Sequence, residues 1–91
     1  MRFTWDPNKA KSNLKKHGVS FEEAATAFGD PLAQDMPDPG HSDEEDRSIL
    51  IGESSGQRIV VVWLTERPRG TIRIIGAREA EPRERRAYEE G

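Results

Sequence analysis

Six consecutive apolar residues, Ile59-Val60-Val61-Val62-Trp63-Leu64, constrain this chain more than any other feature. Successive side chains of a strand point to opposite faces, so a strand that is apolar on both parities has to be covered on both. A strand over residues 58–65 must therefore sit at the centre of a sheet. The chain has 91 residues, enough for one compact domain over residues 1–91 and too few for two independent cores. Hydrophobic residues make up 33% and charged residues 34%, so the core is small and part of the stability is expected from a partner.

The neighbouring segments supply the rest of the sheet. Residues 48–52 read as a strand, Ser54-Ser55-Gly56 as a hairpin turn, Pro68-Arg69-Gly70 as a second turn, and residues 71–77 as the returning strand. Phe3-Thr4-Trp5 alternates and stops at Asp6-Pro7, which predicts a short first strand. Asp6 is a good N-cap and Pro7 suits the first helical position, so a helix follows over residues 9–17, with Ala10, Leu14 and His17 on one face and Gly18 as its stop. His17 is expected to be buried and hydrogen-bonded. Ser20 and Glu23 make a capping box, each serving the other's backbone N–H, ahead of a second helix carrying Phe21, Ala24, Ala25 and Phe28, which ends at Gly29-Asp30-Pro31. A brief strand is expected near residues 32–34, and residues 35–46 form an acidic loop with two prolines. Glu81-Pro82 opens a last helix. The order β-α-α-(β)-β-β-β-α predicts an α+β domain: an antiparallel meander sheet, two N-terminal helices on one face, and a C-terminal helix.

Charge is distributed unevenly along this order. The net charge is −3, yet residues 1–20 carry +4, residues 21–56 carry −9 and residues 57–91 carry +2. A basic surface for nucleic acid can hide inside such a total. With no cysteine, disulfide scaffolds, thiolate metal sites and cysteine nucleophiles are excluded. No run has the length of a membrane span and the first residues lack the apolar stretch of a signal peptide, so the expectation is a cytoplasmic chain without membrane contact. The sequence holds no phosphate-binding glycine loop and no Gly-x-Ser-x-Gly elbow. The acids around His41 lack the ligand spacing of a calcium loop, and neither metal nor cofactor is expected. No recognition helix follows a helix turn, which argues against direct DNA binding.

The arginines are the better lead. Arg67, Arg73 and Arg78 fall in or at the ends of the last two strands, and Arg47 opens the strand before them. Arg73 shares a parity with Ile75 and Ala77, so it rises from a partly apolar face, where a guanidinium can clamp phosphate while its stem packs. Lys9 and Lys16 share a helix face through Asn13 and are either solvated or phosphate contacts; Arg86 lies on the last helix. Tyr88 can pack that helix or meet a base, and Trp5 and Trp63 are most simply core.

These residues together resemble a known family. The string Phe3-x-Trp5-Asp6-Pro7-x-Lys9-Ala10-x-x-Asn13-x-x-Lys16-His17-Gly18-Val19-Ser20-Phe21-Glu22-Glu23-Ala24 is similar to the opening of BrnT-type toxins. The similarity continues through Phe28-x-Asp30-Pro31, His41-Ser42 with Glu45 and Arg47, Ile51-Gly52-x-Ser54, Thr65-Glu66-Arg67, Arg73-Ile74-Ile75-x-Ala77-Arg78 and Glu84-Arg85-Arg86-x-Tyr88-Glu89. Gly76 stands where that pattern usually has serine. The resemblance implies a RelE-like fold and a ribonuclease toxin of a type II toxin–antitoxin pair that cleaves mRNA and inhibits translation. It also implies neutralisation by a BrnA-type antitoxin, DNA contact only through that antitoxin, and oligomers in the toxin–antitoxin complex. Under that implication Arg67, Arg73 and Arg78 are candidates to stabilise a phosphorane, and His41 or Tyr88 to move the proton. Lys9, Lys16, Arg47 and Arg86 would hold the RNA backbone. A catalytically inactive antitoxin-binding module acting in operon autoregulation is the alternative.

Overall fold

A computed structural model describes residues 1–40 and 47–91. Among these residues five strands form one sheet: β1 (Arg2–Thr4), β2 (Gln34–Pro37), β3 (Arg47–Glu53), β4 (Ile59–Arg67) and β5 (Thr71–Glu79), in the spatial order β1-β5-β4-β3-β2. Three α-helices accompany it: α1 (Pro7–His17), α2 (Phe21–Thr26) and α3 (Pro82–Glu90). β2 to β5 form the expected antiparallel meander, but β1 pairs in parallel with β5, so the sheet is mixed. The reason is nonlocal. After β1 the chain crosses the sheet through α1 and α2, enters at the far edge as β2, and returns by three antiparallel steps to lie beside β1 in the same direction.

β4 is central and covered on both faces, as its two-sided apolar run requires. Val60, Val62 and Leu64 pack on one face with Phe21, Ala24 and Ala27, beneath α1 and α2. Val61 and Trp63 pack on the other with Ile49, Ile51, Ala80 and Tyr88, beneath α3. These are the first and second faces below. Gly52 lets the short 3-10 turn Ala27–Gly29 approach β3 closely, because a Cβ there would sit 3.0 Å from both the Ala27 carbonyl oxygen and the Ala33 Cβ.

Local chemistry explains the helix limits and corrects several expectations. Asp6 Oδ1 accepts from the Asn8 N–H, and Gly18 closes α1 at φ 72°. No α1 residue is buried: Leu14 is 50% exposed and His17 is exposed, because α1 meets the sheet through Ala10 and Asn13 instead. The expected strand near residues 32–34 lies at Gln34–Pro37, so the first part of the acidic segment is strand; residues 41–46 lie outside the described residues.

Only half of the capping box forms at α2. Ser20 Oγ accepts from the Glu23 N–H at 2.9 Å, but the Glu23 carboxylate turns to the β3–β4 hairpin. There it accepts from Arg58 Nε (2.8 Å), Arg58 Nη2 (2.7 Å) and Ser54 Oγ (2.6 Å). Arg58 also donates to the Gly18 carbonyl, so one ion pair ties both helix ends to the hairpin. The Arg58 hydrogen bonds hold Glu23 at about 2, against an ordinary 4.5. The folded-state value is depressed, so this stabilisation is complete above about pH 4.5 and is lost as pH falls towards 2. Glu23→Gln should lower stability by about 2 kcal/mol at neutral pH. It should also flatten the dependence of the melting temperature on pH across that window, as thermal unfolding followed by circular dichroism will show.

Candidate functional site

The chemistry of the second face depends on an irregularity in β5. Trp63 pairs with Gly76 and Leu64 with Ile74, which leaves Ile75 as an extra residue. Such a bulge reverses the alternation of the bulged strand beyond it. Arg73 and Arg78 are five residues apart and would point to opposite faces in a regular strand. Across the bulge they fall on the same one: Arg73 pairs with Thr65 and Arg78 with Val61, both second-face residues of β4. The expected parity of Arg73 with Ala77 is thereby corrected, since Ala77 packs in the first-face core with Ile74.

Asn13 holds this irregular edge. β1 pairs only with residues 71–73 of β5, so the strand edge beyond it lacks a strand partner on that side. Asn13 Oδ1 accepts from the Ala77 N–H (3.1 Å) while its Nδ2 donates to the Ala77 carbonyl (2.8 Å) and to the Val19 carbonyl (2.9 Å). One side chain thus imitates a strand neighbour and joins α1 to β5 next to the bulge.

Four arginines share the second face. Arg47 and Arg73 lie directly opposite Thr65 from the two neighbouring strands, and Arg67 follows two residues along β4. Arg73 and Arg47 are half-buried and Arg67 is exposed. Arg78 lies over the Trp63 ring, its Cζ 5.3 Å from the centroid, a cation–π arrangement. Its Nη1 and Nη2 donate to the two carboxylate oxygens of Glu84 at 2.8 and 2.9 Å, a bidentate pair to α3. These two hydrogen bonds, donated by Arg78, lower the pKa of Glu84 and raise that of Arg78.

The other expected residues are placed elsewhere. Lys9 and Lys16 line a groove of about 320 Å³ between α1 and the bulged residue Ile75, with Asn8, Ser12 and His17. Arg86 is exposed on α3. His41 lies outside the described residues. The Tyr88 hydroxyl donates to Asp30 Oδ2 at 2.5 Å, and the Tyr88 carbonyl accepts from Gln34 Nε2. That bond to a carboxylate pushes the phenol up to about 12 and, with the Glu53 and Leu32 N–H groups, lowers Asp30. Tyr88 therefore latches the end of α3 beside β2. Among the described residues, no group of three His, Cys, Asp or Glu is placed to hold a metal ion.

Two residues were missed as site candidates from sequence. Trp63 was expected only as core, but it is half-buried on the face the arginines share. Thr65 is visible in the sequence as a polar residue at the end of the apolar run and as part of the string Thr65-Glu66-Arg67, neither of which marks its hydroxyl. The first face is electrostatically opposite at the same end, where a cleft of about 410 Å³ is lined by Asp35 and Glu66 beside Leu50, Leu64 and Ile72. The second face can thus bind an anion with an aromatic group, whereas that cleft repels one.

A family model described as the ribonuclease toxin, BrnT, of type II toxin–antitoxin systems matches residues 5–84. Among solved structures, the chain is similar to the ribonuclease toxin BrnT of Brucella abortus, with a TM-score of 0.70 and 26% identity; the match covers 89% of this chain and 97% of that one. No curated protein matches.

The Tyr88 latch carries its own prediction. Its pKa is raised in the folded state, so its contribution is complete below about pH 10 and is lost as pH rises towards 12. Tyr88→Phe should leave the chain folded at pH 7 while speeding hydrogen exchange of the α3 amides at least several-fold. Exchange in the sheet core should stay at the parental rate.

Proposed function

This chain belongs to the BrnT family of ribonuclease toxins of type II toxin–antitoxin systems, and we propose that it is a metal-independent endoribonuclease whose cleavage of mRNA inhibits translation in the cytoplasm. The observation that carries the reading is the convergence of Arg47, Arg67, Arg73 and Arg78 on one sheet face beside a half-buried tryptophan. Guanidinium groups suit phosphate geometry, and an aromatic ring suits an unstacked base.

RNA can be cleaved by in-line attack of its own 2′-oxygen on the adjacent phosphorus. The 2′-proton leaves, the bond to the 5′-oxygen breaks, and that oxygen takes a proton, giving a 2′,3′-cyclic phosphate and a 5′-hydroxyl. Extra negative charge builds on the non-bridging oxygens in the transition state, which fixed cations stabilise more than the ground state. Arg67 and Arg73 are proposed for this role. Arg78 adds positive charge and holds Trp63 as a platform, with its fork engaged by Glu84. His41 is proposed for proton transfer. Tyr88, with a pKa of about 12 and its proton committed to Asp30, is assigned to holding α3 instead. Lys9, Lys16 and Arg86 are proposed to contact flanking phosphates. A BrnA-type antitoxin is the proposed partner, with DNA contacted only through it and more than one copy of each chain in the complex.

Purified protein incubated with end-labelled RNA in excess EDTA should give fragments ending in 2′,3′-cyclic phosphate. Arg67→Ala and Arg73→Ala should each lower the rate by about 10²- to 10³-fold while the melting temperature stays near that of the parent. Intact RNA with the folded parent would favour the inactive antitoxin-binding module.

A further inference from the structure

Thr65 stands out on the second face because its hydroxyl is wasted by the fold itself. The residue is 3% exposed, and its Oγ1 has no hydrogen-bond partner among the described residues. Buried polar groups are ordinarily paired, and leaving one unpaired costs stability comparable to a lost hydrogen bond. Valine has the same shape as threonine, and β4 already uses valine at positions 60, 61 and 62. The hydroxyl at position 65 therefore opposes stability where a ready alternative would not.

Its neighbours indicate what the hydroxyl serves. Arg47 and Arg73 are its direct partners on β3 and β5, so two cationic side chains flank it on the same face. Directly opposed strand residues have Cβ atoms about 5 Å apart, which places both arginine stems against Thr65. The two stems rise two strand spacings, roughly 10 Å, apart on either side of Thr65, a span that two guanidinium groups can close around one anion. An anion that draws both guanidinium groups together lifts their stems and brings an oxygen over the Thr65 hydroxyl, which can rotate to donate.

We infer that Arg47, Thr65 and Arg73 form a phosphate subsite, in which the Thr65 hydroxyl donates to a non-bridging oxygen of an RNA phosphodiester. This subsite deepens the ribonuclease reading and rests on it for its ligand. Arginine and threonine are phosphate-reading groups, so the subsite holds the backbone and carries no preference for base.

The test compares the parent chain with Thr65→Val and Thr65→Ser by three readouts. These are melting temperature, affinity for a short single-stranded 2′-O-methyl RNA that cannot be cleaved, and single-turnover cleavage of the matching RNA in EDTA. Thr65→Val should melt at or above the parental temperature, bind the 2′-O-methyl RNA at least tenfold more weakly, and cleave about ten- to a hundredfold more slowly. Thr65→Ser should stay within about threefold of the parent in binding and cleavage, because it keeps the donor. Parental binding and cleavage by Thr65→Val would overturn the inference. So would a melting temperature several degrees lower, because the hydroxyl would then serve the fold. If the parent binds but does not cleave, the ribonuclease reading fails while the binding comparison still decides the subsite.

Discussion

One extra residue in β5 governs which side chains share a face. Without Ile75 as a bulge, Arg78 would point into the first-face core and Ala77 would face outwards, so a guanidinium would be buried among Val60, Val62 and Ile74. Burying an unpaired guanidinium is prohibitive, so the register that keeps every arginine out of that core is strongly selected by burial alone. The irregular edge is then secured by Asn13, whose amide meets both backbone groups of Ala77. The position of α1 and the direction of the arginines are thus coupled through one residue.

The helices divide the labour that follows from this. α1, α2 and the 3-10 turn that follows close the first face with the small residues Ala10, Ala24 and Ala27, which bring them near the sheet. α3 has no fully buried residue; it packs through Tyr88 and is tied by polar contacts towards its two ends, Glu84 on Arg78 and Tyr88 on Asp30. It covers the end of the second face near Val61 and Ala80, whereas the arginines Arg47, Arg67 and Arg73 lie towards the other end. At one end of the sheet a cleft with Asp35 and Glu66 on the first face stands back to back with the arginine row on the second.

Much of this fold is legible in the sequence because local rules decide it. Asp6-Pro7 and Gly18 bound α1, Ser20 caps α2, and the two-sided apolar run marks β4 as central. Other features depend on partners far along the chain. The parallel pairing of β1 with β5, the diversion of Glu23 from its own helix to Arg58 35 residues away, and the exposure of His17 are set by packing that periodicity does not encode. The site shows the same division. The arginines were visible by type and strand, but their shared face required the bulge, and strict alternation placed Arg73 with Ala77. Thr65 was legible as a polar interruption and as part of the string Thr65-Glu66-Arg67, but its buried hydroxyl, unpaired among the described residues, is a property of the folded state.

The central claim is that RNA is held on the second face, between β3, β4 and β5. Titrating isotope-labelled protein with a short 2′-O-methyl RNA, and following backbone amides and arginine Nε–H signals by NMR, tests it directly. The account predicts that the largest shifts fall on Arg47, Trp63, Thr65, Arg67, Arg73 and Arg78, while Asp35 and Glu66 in the first-face cleft remain unmoved. Shifts confined to the first face, or saturable binding that leaves the arginine signals unchanged, would contradict it.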